Sequence, residues 1–86
     1  MIDRSIMVAL LTILDQLSGV SIEEATLLDE VALKCPFALT TDQVREHIQE
    51  AERQGWASRQ EGMLRERRWA RTAAGIVALR GLRRTP

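Results

Sequence analysis

Five arginines, Arg59, Arg65, Arg67, Arg68 and Arg71, fall within one short stretch that also carries the pair Glu61-Gly62. A guanidinium is planar, permanently charged and forks its donors, so it pairs bidentately with phosphate or carboxylate. Clustered on a β-hairpin, such groups suit the phosphates of a nucleic acid or a narrow minor groove. The competing reading is a solvated hairpin whose charges prevent edge pairing or match an acidic surface of another subunit. A second set, Thr41, Arg45 and Gln49, lies at spacings of four along one helical segment. There Gln can bond adenine bidentately and Arg guanine. Thr41 can equally serve as a second cap, and Arg45 and Gln49 as solvated helix surface.

The charge distribution supports a polyanion-facing second half. Formal net charge is zero, yet Met1 to Glu52 holds ten acids against three bases, while Arg53 to Pro86 holds nine arginines against Glu61 and Glu66. Such asymmetry implies either a polyanionic partner or a complementary contact between subunits. The outward face of the segment bearing Arg45 works against deep insertion into DNA. Asp42, Glu46 and Glu50 there face phosphate with only Arg53 to offset them.

Catalysis has little support. The acids sit in pairs such as Glu23-Glu24 and Asp29-Glu30 with no apolar setting, and no nucleophile motif or glycine-rich phosphate loop occurs. The chain therefore reads as a non-enzyme. With one cysteine and one histidine, Cys35 and His47, neither a disulfide framework nor a zinc set is expected, and no cofactor or small-molecule ligand is implied. Cys35 reads as a small core residue and His47 as a satisfied histidine at the margin of a buried stripe. The apolar run Ile6 to Leu14 is too short for a membrane span and, with Asp15-Gln16 behind it, unlike a secretory leader. Cytoplasmic residence is the expectation.

The elements that must position these residues follow from periodicity and caps within a single domain. A first helix is predicted over residues 3–18, with Ile6, Leu10, Ile13, Leu14 and Leu17 on an apolar arc wider than one packing partner needs. Either it lies centrally or part of it meets a second copy, and Ile6, Leu10, Ile13 and Leu17 are the candidate dimer contact. Ser21 to Glu24 spells a capping box for a helix over 22–34 that buries Ala25, Leu28, Val31 and Ala32 and stops at Pro36. Thr40 to Gln43 spells another, opening a helix over 41–54 with Val44, Ile48 and Ala51 inward, and Gly55 suits its left-handed stop. A hairpin over 56–71 turns at Glu61-Gly62, with Gly62 at positive φ and Trp69 at its root. Thr72 caps a last helix over 73–82 with Ile76, Leu79 and Leu82 inward, followed by a basic tail from Arg83 to Pro86. The order helix, helix, helix, strand, strand, helix is mainly α with a two-stranded β-wing, as in a winged helix-turn-helix.

The run Glu52-Arg53-Gln54-Gly55-Trp56-Ala57, the turn at Glu61-Gly62 and the segment Arg67 to Gly75 resemble winged-helix regulators of the PadR and MarR type. Trp69, Thr72 and Gly75 match the stretch that leads from the last wing strand into the next helix, and Arg71 stands where the family has an inward Leu. The resemblance covers roughly Leu39 to Leu82. It implies a homodimer that binds duplex DNA and regulates transcription, with the third helix in the major groove and the wing along the backbone. The alternative from the residues is a winged-helix module that docks another protein, its acidic third helix and basic wing serving as complementary faces.

Overall fold

The computed structural model describes residues 1–84; Thr85 and Pro86, the end of the expected basic tail, lie outside the described residues. Four helices and a three-stranded antiparallel sheet follow in the order α1 Arg4–Gln16, β1 Ile22–Glu23, α2 Glu24–Lys34, α3 Thr41–Arg53, β2 Ala57–Glu61, β3 Arg67–Arg71 and α4 Ala73–Arg84. The sheet order is β1-β3-β2. Among the described residues no helix is long and apolar enough to cross a membrane.

Helix α1 is the centre of the domain. The Asp3 carboxylate caps it by accepting from Ser5 N and Ile6 N, and α2, α3, α4 and β3 all pack around it. Its wide apolar arc is thereby used up inside one chain. Ile6, Leu10 and Ile13 are buried and Leu17 is half-buried, so the first three cannot form the dimer seam assigned to them. Thr12 is also buried, and its hydroxyl accepts from Arg83 Nη2 at 2.9 Å.

The second helix starts later than its capping signal suggests. Ile22 and Glu23 instead form β1, in register with Trp69 and Arg68 of β3, and the expected two-stranded wing becomes a three-stranded sheet. Both members of the predicted box are drawn away by distant partners. Ser21 Oγ accepts from Arg68 Nε at 2.8 Å and the Glu24 carboxylate accepts from Trp69 Nε1 at 3.0 Å, leaving α2 without a side-chain cap. The helix then turns Leu27 and Val31 inward, with Leu28 half-buried and Ala25 and Ala32 exposed. Larger side chains remove more apolar surface from water, so they win the inward face.

Helix α3 follows its local signals closely. Gln43 N donates to Thr40 Oγ1 at 3.1 Å and Thr40 N to Gln43 Oε1 at 2.9 Å, completing the capping box. At the other end Gly55 takes φ +79°, Trp56 N bonds Ala51 O and Gly55 N bonds Glu52 O, the paired closure of a Schellman stop. Thr72 ties this stop to α4: its hydroxyl donates to Gly55 O at 2.6 Å and accepts from Gly75 N at 2.9 Å. A Cβ on Gly75 would run into the Trp56 carbonyl, so the close approach of α4 to the α3 stop requires glycine there. Helix α4 continues through Arg84, past the predicted end at Leu82, with Leu79 buried and Ile76 and Leu82 half-buried.

His47 lies deeper than its place at the edge of the inward stripe suggests. At 1% exposure, its Nε2 accepts from Asp3 N at 2.8 Å and its Nδ1 lies 2.6 Å from Gln43 O. This arrangement fixes the tautomer with the proton on Nδ1 and pins the start of α1 to α3.

Candidate functional site

Strand alternation sorts the arginines of the hairpin. Arg67, Trp69 and Arg71 project from one face of β3 and Arg68 and Ala70 from the other. Cross-strand register places Arg59 opposite Trp69 and Glu61 opposite Arg67, so Arg59 shares the face of the buried indole. That face looks toward α2 and α3, because Trp69, 1% exposed, reaches Glu24.

Two of the five arginines are committed to the fold. Arg68, on the opposite face, gives Nε to Ser21 Oγ and Nη2 to Ser21 O. Arg71 gives Nη1 to Asp15 Oδ1 at 2.9 Å and to Asp15 O at 3.2 Å, at the C-terminal end of α1 where the helix dipole favours a cation. An arginine can stand in place of an inward Leu because its aliphatic stem packs while its head reaches a carboxylate. The five candidate arginines therefore do not share one surface.

The remaining three gather. Arg59, Arg65 and Arg67 line one open concavity of about 410 Å³, together with Gln60, Glu61 and Glu66. Arg59 Nε lies 3.3 Å from Glu52 Oε2, and Arg67 Nη1 lies 3.7 Å from Glu24 Oε1. Arg65 has no ion pair among the described residues. Half-exposed pairs of this kind contribute about 0–1 kcal/mol each, so a phosphate can displace them at small cost.

Helix α3 presents a mixed surface, and Gln49 lines a separate concavity with Met1, Ile2, Glu46, Glu50 and Arg53. Thr41 and Gln49 are exposed, and Arg45 lies 3.4 Å from Glu24 Oε2 and 3.8 Å from Asp42 Oδ1. Two of its acids ionise more readily than usual: Arg53, then Gln54, hydrogen-bond Glu50 and hold its carboxyl below the usual value, and the terminal amine does the same for Glu46. The electrostatic objection to burying this helix against phosphate stands.

Glu24 organises the site, and sequence reasoning missed it. Its carboxylate, 15% exposed, meets Trp69 Nε1, Arg45 of α3 and Arg67 of β3, coupling α2, α3 and the hairpin through one group. The local sequence disguised it as the far end of a capping box.

The hairpin turn is also longer than predicted. Gly62 N bonds Glu66 O at 2.8 Å and Arg65 N bonds Gly62 O at 2.9 Å, enclosing a three-residue loop of Met63, Leu64 and Arg65. Arg65 takes the left-handed conformation, φ +64°, assigned beforehand to Gly62. A turn closed by a left-handed third residue is the usual three-residue hairpin solution. Among the described residues no cluster of three or more His, Cys, Asp or Glu could hold a metal.

Comparison with protein-family models and with characterised proteins finds no match. The assignment of a function therefore stands on the residues and their geometry.

Proposed function

We propose that this chain is a winged-helix protein that binds duplex DNA through its hairpin, in the manner of a small transcriptional regulator. The reading is carried by one observation: Arg59, Arg65 and Arg67 line a single open concavity on the hairpin. Three further features support it. The element order is compatible with a winged helix in which β1 adds a third strand to the wing. The sequence from Glu52 to Gly75 resembles PadR and MarR regulators. Arg45 of α3 shares Glu24 with Arg67, and Thr41 and Gln49 are exposed on the same helix, where base edges can be read.

The contact set is narrower than the sequence suggested. Arg68 and Arg71 serve the fold, so phosphate contact rests on three guanidiniums and helix insertion is shallow. The reading is framed for one chain, since Ile6, Leu10 and Ile13 are no longer a seam for a second copy. Sedimentation of the complex counts the copies.

A salt titration on a random duplex tests the proposal. Three neutralised phosphates give a slope of log affinity against log salt of about −2.7, and Arg65→Ala with Arg67→Ala brings it to about −0.9. Absence of binding at about 50 mM salt overturns it. A protein-docking module is the second reading, favoured by the pairing of Arg59 and Arg67 with Glu52 and Glu24. Under it the double variant leaves duplex binding, if any, with an unchanged slope.

A further inference from the structure

The tip of the hairpin shows an arrangement that the fold does not need. Met63 and Leu64 are 101% and 88% exposed, adjacent in sequence, on a loop closed by two backbone hydrogen bonds. Besides the two backbone bonds that close it, Leu64 N donates to Glu66 Oε1 at 3.3 Å. The Glu66 side chain folds across the loop so closely that a Cβ on Gly62 would strike its carboxylate. Arg65 accepts a positive φ, which disfavours any residue with a Cβ. A loop so constrained, yet presenting two large apolar side chains to water, is organised for contact rather than for packing.

The surroundings select the occupant. Arg59, Arg65 and Arg67 stand with Glu61 and Glu66 in the concavity beside the tip. Of these acids Glu66 is folded into the loop and Glu61 lies opposite Arg67. An apolar tip with guanidiniums to one side of it matches a base stack flanked by phosphates. Proteins that enter the minor groove use Met and Leu as wedges between base steps in this way, with arginines on the flanking backbone.

We propose that Met63 and Leu64 form a wedge that enters the minor groove, partly unstacks a base step and bends the duplex, while Arg59, Arg65 and Arg67 hold the adjacent phosphates. The inference rests on the DNA reading above and specifies how the hairpin engages. It also assigns the tip a role in shape readout: flexible pyrimidine–purine steps are kinked most easily and are favoured.

The test uses the full chain and a duplex of about 30 bp with end-attached fluorophores and 2-aminopurine at a central TA step. Wild-type protein shortens the end-to-end distance and raises 2-aminopurine fluorescence. Met63→Ser with Leu64→Ser, which removes side chains that touch nothing in the core, abolishes both signals and keeps the salt slope within about 0.5 of wild type. Circular dichroism verifies that this variant is folded, and Arg65→Ala supplies the converse, a shallower slope. If wild type binds the duplex without bending or unstacking it, or the double variant bends it equally, the wedge is overturned and the DNA reading survives. If wild type fails to bind at about 50 mM salt, both fall.

Discussion

Glutamine and alanine at Glu24 separate the two jobs that the structure gives this carboxylate. One is to accept the indole N–H of Trp69, which is buried; the other is to pair with Arg45 and Arg67, which are 41% and 49% exposed. Glu24→Ala removes both. Leaving the Trp69 N–H without an acceptor costs about 1–3 kcal/mol, and each half-exposed ion pair adds at most about 1 kcal/mol. The sum is about 3 kcal/mol, and at about 4–8 °C per kcal/mol for a domain of this size the midpoint falls on the order of 15 °C. Glu24→Gln keeps an acceptor for the indole and loses only the two ion pairs, about 1 kcal/mol together, so its midpoint falls on the order of 6 °C. Under the DNA reading the same substitution frees Arg45 as well as Arg67, so duplex affinity at low salt rises and the salt slope steepens by up to about 0.9 for the one phosphate that Arg45 can add. Thermal unfolding followed by circular dichroism, with a binding titration on the same samples, reads both quantities. If glutamine destabilises as much as alanine, the indole bond is not what Glu24 supplies and the reasoning is wrong.

Gly75→Ala places a methyl against the fixed Trp56 carbonyl and is expected to cost about 1–3 kcal/mol, whereas Gly81→Ala meets nothing within 4 Å and is neutral or stabilising by up to about 1 kcal/mol; chemical denaturation of the pair checks the contrast. His47→Phe keeps bulk but strips the acceptor from Asp3 N, costing about 1–3 kcal/mol and lowering hydrogen-exchange protection in the first turn of α1, while equal protection at Ile6 and Met7 argues against the pin. Arg53 lowers the Glu50 pKa from its usual 4.5, so the folded chain binds that proton less readily than the unfolded chain. The resulting stabilisation is present above about pH 4.5 and fades as pH falls through the lower folded value. Arg53→Ala raises the Glu50 midpoint in a carboxyl NMR titration and flattens acid unfolding there; an unmoved midpoint refutes the assignment.

Much of the architecture was legible from short-range chemistry. The Thr40 to Gln43 box, the Gly55 stop and the cap at Thr72 each act through neighbours a few residues away, and all three form as their residue types dictate. The hairpin was legible too, but its turn was not: a two-residue turn on Gly62 and a three-residue loop closed by Arg65 differ by a choice of register, and register is settled by where Trp69 and Ala57 must be buried. For the candidate site the types were visible and the allegiances were not. Nothing near Arg71 or Arg68 announces Asp15 or Ser21, which lie 56 and 47 residues away.

By itself, the sequence determined which segments are helical, where most of them begin and end, and that positive charge collects in the second half, because capping, turn chemistry and periodicity operate within one or two turns of backbone. Tertiary structure alone decided which polar groups are spent and which are spare. It moved Ser21 and Glu24 from a helix cap to β3, placed the apolar face of α1 inside one chain, and left Arg59, Arg65 and Arg67 lining one concavity beside an exposed apolar loop. Such choices depend on what folding brings within 3 to 4 Å, and a guanidinium has no preference among carboxylates until the chain has packed.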